Sequence, residues 1–276
     1  MRLPTQAAGL DKPAGARLLA IASGKGGAGK TTVAVNLAIG LGQLGRRVIL
    51  VDADLALANV DVLLGIQPRA HLGQWLDGRV PLDRLLVEVA DHVQLVAASS
   101  GARAMADLDA HGRHRLLAAI GQLRGAAEWL VLDLGAGIAP SVREFAALAD
   151  EVLVVVCDDP TSLTDAYALI KILHQEEGVL HFGVMANQTG SVRAAERLYG
   201  KLAGVVERFL AVPLVYRGAI PFDRCVRDAL ERQCALMACH PHAAASLAFK
   251  RLARAVDKLD GRAVLRHVLE GSAGVA

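Results

Sequence analysis

A glycine-rich stretch near the start of the chain has the residue types and the spacing of a phosphate-binding loop. Residues 24–31 read GKGGAGKT and fit the pattern G-x-x-x-x-G-K-[ST], between an apolar run and a helix-like segment. Glycines let backbone N–H groups turn inward around phosphate oxygens, and the start of the following helix adds partial positive charge. We therefore predict that Lys30 contacts the β- and γ-phosphates and that the Thr31 hydroxyl binds Mg²⁺. The predicted nucleotide-binding residues of this loop are Gly24, Gly26, Gly27, Ala28, Gly29, Lys30, Thr31 and Thr32.

Acidic and amide side chains follow later apolar runs, at the strand ends where open α/β sheets bind ligands. Asp133 ends the run WLVLD and is of the type that holds Mg²⁺ through water. Asp52 and Asp54 end VILVDAD, where a carboxylate could orient an attacking water, although Asp52 is explained equally well as a helix cap or turn residue. Asn187 ends HFGVMAN and is predicted to read an adenine edge. The Asn-Lys-x-Asp tetrad of many guanine-specific sites is absent, which favours ATP over GTP.

Composition narrows the class of protein. The 276 residues are 53% hydrophobic, enough for a large core, and the net charge of +2 argues against a strongly basic nucleic-acid surface. The four cysteines contain no C-x-x-C pair, so we predict neither a zinc site nor a disulfide framework and expect a reducing cytosol. The most apolar segment, 152–157, is too short to span a bilayer, and we expect a soluble protein.

Alternating apolar runs and helix-length stretches predict the fold. The predicted strands are RLLAIAS, RVILVD, VQLVAA, WLVLDL, EVLVVVC, HFGVMAN and LAVPLVY. Continuous apolar strands that alternate with helices predict a single α/β domain with a mostly parallel, doubly wound sheet flanked by helices. One predicted helix carries the stripe Val33, Leu37, Leu41 and Leu44 and stops at Gly45, and a second carries Phe249, Leu252, Val256 and Leu259.

The segment KGGAGKTT resembles the deviant Walker A box of the MinD/ParA class of ATPases, P-loop NTPases in which an additional lysine precedes the glycines. In that class two ATP-bound subunits form a sandwich, and this lysine reaches the phosphates of the partner. The resemblance therefore implies a nucleotide-dependent homodimer with ATP and Mg²⁺ as cofactors. It also implies that Lys25 acts in trans on the other subunit, where an interface that excludes water strengthens its attraction to phosphate.

The similarity extends over about residues 18–258. DADLALANVDVLLG resembles the switch I segment of the class, with Asp54 orienting water, and LDLGAG resembles switch II, with Leu134 where threonine is common. The resemblance implies the catalytic residues Lys25, Lys30 and Asp54, the Mg²⁺ ligands Thr31, Asp54 and Asp133, and further nucleotide contacts from Asn187, Pro221 and Phe222. It divides the chain into an N-terminal extension (1–16), a MinD-like ATPase domain (17–259) and a C-terminal tail (260–276).

DDPTSLTDAYALIKIL and RGAIPFDRCVRDAL resemble one subgroup, the flagellar number regulators of the FlhG/FleN type. That subgroup carries an Asp-Gln-Ala-x-x-Leu-Arg element that stimulates FlhF, a signal-recognition-particle-type GTPase. Here Gln6, Ala7 and Leu10 match it, while the leading aspartate and trailing arginine are absent. The resemblance implies a slow, regulatory ATPase that sets flagellar number or placement. Its partners would be FlhF and a FleQ-like regulator of flagellar genes, in the cytoplasm or at the inner membrane or cell pole.

Other functions stay open at this point. The tail carries a short apolar face of Val264, Leu265, Val268 and Leu269, either a packing segment or a weak membrane-binding helix in a dimer. A MinD-type role at the division site or a ParA-type role in positioning DNA or cargo would use the same nucleotide site. DNA binding is disfavoured because the basic residues near the C-terminal end are interspersed with acidic ones. Iron–sulfur chemistry is disfavoured because no cysteine lies in LDLGAGIAP.

Overall fold

The computed structural model describes residues 15–55, 57–98 and 110–258. Eight strands form one sheet in the order β3-β4-β2-β5-β1-β6-β7-β8, in which β3 is antiparallel to β4 and the other neighbours are parallel. The strands are β1 (Arg17–Ala22), β2 (Val48–Ala53), β3 (Leu86–Ala90), β4 (Val93–Val96), β5 (Trp129–Leu134), β6 (Glu151–Cys157), β7 (Phe182–Thr189) and β8 (Leu214–Pro221). The predicted fold class is confirmed. The C-terminal tail, Leu259 and residues 1–14 of the N-terminal extension lie outside the described residues.

Helices cover both faces of the sheet. They are α1 (Lys30–Gly42), α2 (Val60–Leu64), α3 (Leu72–Leu76), α4 (Ala110–Leu123), α5 (Pro140–Leu148), α6 (Pro160–Gln175), α7 (Val192–Leu210), α8 (Arg224–Glu231), α9 (Leu236–Cys239) and α10 (Ala244–Asp257), with a 3₁₀ turn at Leu82–Leu85. One core contains α1, α2, α8, α9 and α10, and the other contains α3 to α7. Successive side chains of a strand point to opposite faces, and both faces of the central strands are buried. Strands β2 and β5 are therefore apolar except for Asp52 and Asp133, near their carboxyl ends. Within the described part of the chain, no helix is both long and apolar enough to cross a membrane.

Helix α1 is buried around almost its whole circumference. Every residue from Val33 to Gly42 is buried, because α1 lies between the sheet and α10 and also contacts α2 and α9. The prediction of a single buried stripe was therefore too narrow, because nearly all sides of α1 are buried. The predicted end was also wrong: α1 stops at Gly42, and Leu44 is 38% exposed in the turn that follows. Gly45 does adopt a left-handed conformation, with φ of 79°, but in that turn rather than at the helix end.

The strand predictions missed one element and shifted another. The edge strand β3 was missed because its sequence, LVEVA, is short and half-exposed along its length. The last predicted strand, LAVPLVY, lies too early: β8 begins at Leu214 and continues to Pro221, because α7 extends through Leu210. This shift brings Pro221 to the carboxyl edge of the sheet, where Thr189 of β7 is its register partner.

A largely buried ion pair crosses the sheet above β7. Arg217 of β8 donates from Nε and Nη2 to the two carboxylate oxygens of Glu151 on β6, at 2.7 and 2.6 Å. The side chains are only 10% and 13% exposed. Gly183 of β7 lies beneath them, and a Cβ added there would overlap Glu151 Oε1 and lie 2.9 Å from Arg217 Cγ. Glycine at this position therefore makes room for the pair.

The structure pairs Cys234 with Cys239 as a disulfide, with Cα atoms 6.4 Å apart. The sequence analysis predicted no disulfide framework and did not anticipate this single bond. Gln233 adopts a left-handed φ of 51°, and α9 then turns the chain back, so two cysteines five residues apart come within bonding distance. Gln233 also contacts the segment after β2, since its Nε2 donates to the carbonyl of Val62 at 3.2 Å. This loop therefore joins α8 and α9 to α2.

The end of α10 is tied to the amino edge of the sheet by one carboxylate. Asp257 accepts hydrogen bonds from Arg46 Nε and Nη2 at 2.8 and 3.1 Å and from Trp129 Nε1 at 3.4 Å. The hydrogen bond from Arg46 is the main cause of a lowered Asp257 pKa.

We expect Asp257→Asn to reduce the free energy of unfolding by about 1 kcal/mol at neutral pH, a modest value because Arg46 is partly exposed. Because the pKa of Asp257 is lowered in the folded chain, its ionised carboxylate stabilises the fold at pH values above its unfolded pKa of about 4. This stabilisation is lost as the pH falls through the folded-state pKa. Urea unfolding of both chains should therefore show a difference that narrows from about pH 5 to about pH 3. A difference that stays constant with pH would contradict this account.

Candidate functional site

The glycine-rich loop joins β1 to α1 at the carboxyl edge of the sheet. Gly29 is the N-cap of α1 with φ of 86°, a conformation that side-chain-bearing residues rarely adopt, and Lys30 is the first helical residue. This places the helix N-terminus, with its unpaired backbone N–H groups and partial positive charge, at the mouth of the loop. The local geometry is that of an anion site.

A cavity of about 850 Å³ opens above this loop. Ten predicted site residues line it: Gly26, Gly27, Gly29, Lys30, Thr31, Thr32, Asp54, Asn187, Pro221 and Phe222. Four others lie outside the lining: Gly24, Lys25, Ala28 and Asp133. Phe222 is 66% exposed, so it forms an open rim of the cavity rather than a closed wall. The cavity is large enough for a nucleotide, with the phosphate loop at one end and Pro221 and Phe222 at the other.

Two carboxylates are buried side by side below the cavity. Asp52 of β2 and Asp133 of β5 are partners in the strand register and are 1% and 0% exposed. Burial raises the pKa of Asp52 to about 7, although the hydrogen bonds that it accepts from the backbone N–H groups of Val60, Asn59 and Asp54 lower the pKa. Asp52 therefore organises the loop after β2 and caps α2, the structural role weighed in the sequence analysis. Burial, followed by the negative charge of Asp52, raises the pKa of Asp133 to about 8.

The residues predicted to hold Mg²⁺ have donor groups suited to it. Neither carboxylate oxygen of Asp133 has a hydrogen-bond partner among the described residues, although both are buried. The Thr31 hydroxyl donates to Asn59 Oδ1 at 3.1 Å, which leaves its oxygen lone pairs available to a cation. Within residues 15–55, 57–98 and 110–258, no three His, Cys, Asp or Glu side chains are grouped as a metal cage. Mg²⁺ takes one or two protein oxygens together with water and substrate phosphates, and the Thr31 hydroxyl and the Asp133 carboxylate are donors of that kind.

Asn187 is bound to the phosphate loop itself. Its Nδ2 donates to the backbone carbonyl of Ala28 at 2.8 Å, and a Cβ added to Gly29 would overlap that nitrogen. The amide therefore supports the loop from β7. An amide nitrogen has two donors and the oxygen accepts, so this bond leaves groups for a base, and the adenine-reading role stays a prediction.

Lys25 points away from the cavity toward the start of α6. Its Nζ lies 3.0 Å from Asp159 Oδ2 and donates to Thr161 Oγ1 at 2.9 Å, and the side chain is 46% exposed. Hydrogen bonds from Thr161 and then from Lys25 hold the pKa of Asp159 far below its usual range. Gly24 permits this approach, because a Cβ there would overlap the backbone of Asp165 in α6. The additional lysine thus has partners on its own chain outside the phosphate loop.

Sequence reasoning missed several residues of the site. Asn59 holds the Thr31 hydroxyl, Gln188 lines the cavity with a left-handed φ of 56°, and Asp159 and Thr161 bind Lys25. The Asp-Pro-Thr sequence at the head of α6 was a usable signal, because a capping aspartate followed by proline is typical of a helix start. The positive φ of Gln188 had no such signal.

The segment predicted as switch II leaves β5 at Leu134. This side chain is fully buried in the core, and as a hydrocarbon it has no hydrogen-bonding group to offer the nucleotide. The chain then turns through Gly137, whose N–H donates to the carbonyl of Ser23 at 3.0 Å, and Ile138 is 47% exposed beyond it. The segment is therefore fastened to the phosphate loop by backbone rather than by a side chain at position 134.

A family model described as the CobQ/CobB/MinD/ParA nucleotide-binding domain matches residues 19–236. The antiactivator FleN of Pseudomonas aeruginosa is 46% identical over 241 residues, which cover 87% of this chain and 86% of FleN. The flagellum site-determining protein YlxH of Helicobacter pylori is 32% identical over 212 residues, or 76% of this chain and 71% of YlxH. Among solved structures, the septum site-determining protein MinD of Pyrococcus horikoshii, complexed with Mg-ADP, superposes with a TM-score of 0.74 and 26% identity, covering 88% of this chain and 96% of that one.

Proposed function

The chain belongs to the CobQ/CobB/MinD/ParA nucleotide-binding family, and we propose that it is a switch controlling flagellar number or placement. Like other members of the MinD/ParA class, it is an ATPase that uses Mg²⁺. Two relatives that align over most of the chain support the flagellar assignment, one named an antiactivator and the other a flagellum site-determining protein. In this proposal ATP stabilises a dimer, the dimer presents a partner surface, and slow hydrolysis separates the subunits.

Within one subunit we propose roles that the geometry supports. The backbone of the glycine-rich loop and the Lys30 ammonium bind phosphate oxygens, and Thr31, Asp54 and Asp133 hold Mg²⁺, which would neutralise charge developing on the phosphates. Asp54 orients the attacking water. Its position is defined because its backbone N–H donates to Asp52 at 3.2 Å and its Oδ1 accepts from Leu57 at 3.0 Å. Catalysis of phosphoryl transfer by positioning and charge needs no further group from this subunit.

The observation that carries the dimer proposal is the direction of Lys25. The cavity has its own lysine in Lys30, which is 8% exposed, whereas Lys25 lies outside the cavity lining with nearly half of its side chain exposed. Its partners, Asp159 and Thr161, lie at the surface at the head of α6. A lysine in that position is free to exchange these partners for the phosphates of a second subunit docked on this face, where exclusion of water strengthens the contact.

The test is the solution mass by light scattering of Asp54→Ala, which blocks hydrolysis, with Mg²⁺ATP and with ADP. We expect a dimer with ATP and a monomer with ADP, and we expect Lys25→Ala added to Asp54→Ala to give a monomer with both. Asp159→Asn added instead is the matched control, because it removes the ion pair but keeps the lysine, and it should still dimerise. A monomer under every condition, or a dimer that survives Lys25→Ala, would sink the trans role.

We further propose two partners for the switch, a FlhF-like GTPase engaged through the N-terminal extension and a FleQ-like regulator antagonised by the ATP-bound form. The match of Gln6, Ala7 and Leu10 to the activating element supports the first, and the antiactivator relative supports the second. GTP hydrolysis by the GTPase should rise when the full chain is added and should not rise with a Gln6→Ala, Leu10→Ala chain. Equal stimulation by both chains would remove the extension from the proposal.

A further inference from the structure

The disulfide between Cys234 and Cys239 spans the whole of helix α9. Cys234 lies between α8 and α9, and Cys239 is the last residue of α9. The helix has only four residues, and an isolated helix of that length is not stable in water. Its position therefore depends on the disulfide and on contacts with the rest of the domain.

One of these contacts is buried and leads to the nucleotide site. The backbone N–H of Met237 donates to Asn36 Oδ1 of α1 at 3.0 Å, and Asn36 is 1% exposed. The Nδ2 of the same side chain donates to the carbonyl of Thr32 at 2.8 Å, and Thr32 lines the nucleotide cavity. Asn36 therefore connects α9 to the first turn of α1, which carries the phosphate site at its N-terminus.

A second contact leads to α2, within the segment predicted as switch I. Gln233 donates from its side chain to the carbonyl of Val62, and its own carbonyl oxygen would lie 2.9 Å from a Cβ added to Gly65. Gly65 ends α2 with φ of 63°, a conformation that favours glycine. The loop that carries the disulfide thus contacts the two helices that follow the phosphate loop and β2.

The disulfide is accessible, whereas the turn that it encloses is buried. Both cysteines are partly exposed, and Cys234 lines a cavity of about 290 Å³ between the end of α1, α2, the β3–β4 turn and α9. Between the cysteines, Leu236 and Met237 are only 2% and 1% exposed. A reductant can therefore reach the bond without unfolding the core, and the cavity leaves room for the loop to move once the bond is open.

We propose that Cys234 and Cys239 form a thiol–disulfide exchange site that adjusts the affinity for ATP. A thiolate of a dithiol reductant, such as a thioredoxin-class protein, attacks one sulfur, breaks the S–S bond and forms a mixed disulfide. The second thiol of the reductant then attacks the mixed disulfide and releases the cysteine. Two electrons and two protons pass from the reductant to the cysteine pair, which becomes two thiols, and the reductant becomes a disulfide.

Opening the bond removes one restraint on α9 and leaves its hydrogen bonds in place. The single helical turn then opens locally more often, and Asn36 loses the Met237 N–H during each opening. The hold of Asn36 on Thr32 weakens at the same time, so the first turn of α1 is less firmly fixed and ATP binds less tightly. This inference rests on the ATPase site and does not depend on the flagellar assignment.

The experiment compares the purified full chain with the bond closed by oxidised glutathione and opened by dithiothreitol. A gel shift with maleimide-polyethylene glycol should count two free thiols in the closed form, from Cys157 and Cys225, and four in the open form. In the open form we expect amide hydrogen exchange of residues 234–240 to be at least tenfold faster. We also expect the dissociation constant for a fluorescent ATP analogue to rise at least threefold, and reoxidation should restore both values.

Two variants show whether this cysteine pair causes the response. Cys234→Ser with Cys239→Ser cannot form the bond, so this chain should behave like the open form with or without dithiothreitol. Cys225→Ala is the matched control, because it removes a free cysteine on α8 and keeps the pair, and it should respond to dithiothreitol as the unmodified chain does. A response that persists in the double serine chain would overturn the inference.

Asn36→Ala tests the route from α9 to the nucleotide site. In this variant reduction should still speed exchange in residues 234–240 but should no longer change the affinity for ATP. The unmodified chain decides the proposal by itself if this variant does not fold. A pair that oxidised glutathione cannot close, or an ATP affinity that is equal in the closed and open forms, would overturn the inference.

Discussion

Replacing Lys30 by alanine is expected to lower the rate of ATP hydrolysis by about 100- to 1,000-fold, the range found when one preorganised charge-stabilising group is removed. The ammonium is 8% exposed at the first residue of α1, where the helix N-terminus adds to its field. The neighbouring cavity residues Thr31 and Thr32 cannot replace it because they are uncharged, and Lys25 of the same chain lies outside the cavity lining. Steady-state phosphate release and the affinity for a fluorescent ATP analogue would measure the loss.

Lys30 also faces the buried carboxylates, so its removal could disturb the fold as well as the chemistry. Lys30→Met keeps most of the volume and should lose hydrolysis to the same extent while retaining a native thermal midpoint. Lys171→Ala, at an exposed position on α6, is the control and should hydrolyse ATP at the original rate. Hydrolysis by Lys30→Met within threefold of the unmodified chain would show that Lys30 is not part of the site.

Gly183→Ala is expected to cost about 2 kcal/mol of unfolding free energy, although it adds only one methyl group to a position in the sheet. The added Cβ would occupy the space of the Glu151 carboxylate, which must shift and loosen its pairing with Arg217 where little water reaches. When the two side chains of a desolvated ion pair are pushed out of alignment, both charges remain shielded from water but attract each other less. Urea unfolding followed by circular dichroism would give the difference directly.

Two comparisons test whether the cost arises from the ion pair or from adding any side chain at this position of the sheet. Gly121→Ala, where the added carbon meets open space on a helix, should leave stability unchanged or slightly raised. In a chain that carries Glu151→Met and Arg217→Met, adding Gly183→Ala should cost much less than in the original chain, because the displaced pair is gone. Equal costs in the two backgrounds would falsify the ion-pair explanation.

Sequence patterns were sufficient for the sheet and for the phosphate loop because both depend on local order along the chain. Seven apolar runs correspond to seven strands, and the loop motif lies between β1 and α1 as predicted. The patterns failed where burial depends on distant partners. The predicted stripe of α1 covers one side of the helix, although Val35, Ala38 and Ile39 are apolar as well, and α10, which follows much later in the chain, covers the other side. Cys234 and Cys239 looked unrelated until the turn at Gln233 is known.

The site residues also fall into two groups, those marked by local sequence and those placed by distant contacts. Lys30, Thr31 and Asp54 were predicted because a motif or a strand end marks them, and all three line the cavity. The partners that hold them have no such mark: Asn59 contacts Thr31 across 28 residues, and Asn187 supports Ala28 across 159. Contacts at such separations are set by the topology of the sheet, which a pattern along the chain does not contain.

The burial of α1 has a consequence for motion. A segment enclosed on every side exchanges its amide hydrogens only when much of the domain opens, so the amides of α1 should be among the slowest to exchange with deuterium. The phosphate loop is anchored to that slow segment. A conformational change that distinguishes ATP from ADP must therefore occur in segments that can move without global opening. The turns after β2 and β5 are such segments, because Leu57 and Ile138 in them are exposed. The nucleotide would then be held by a slowly exchanging helix, and its identity would be transmitted through exposed turns.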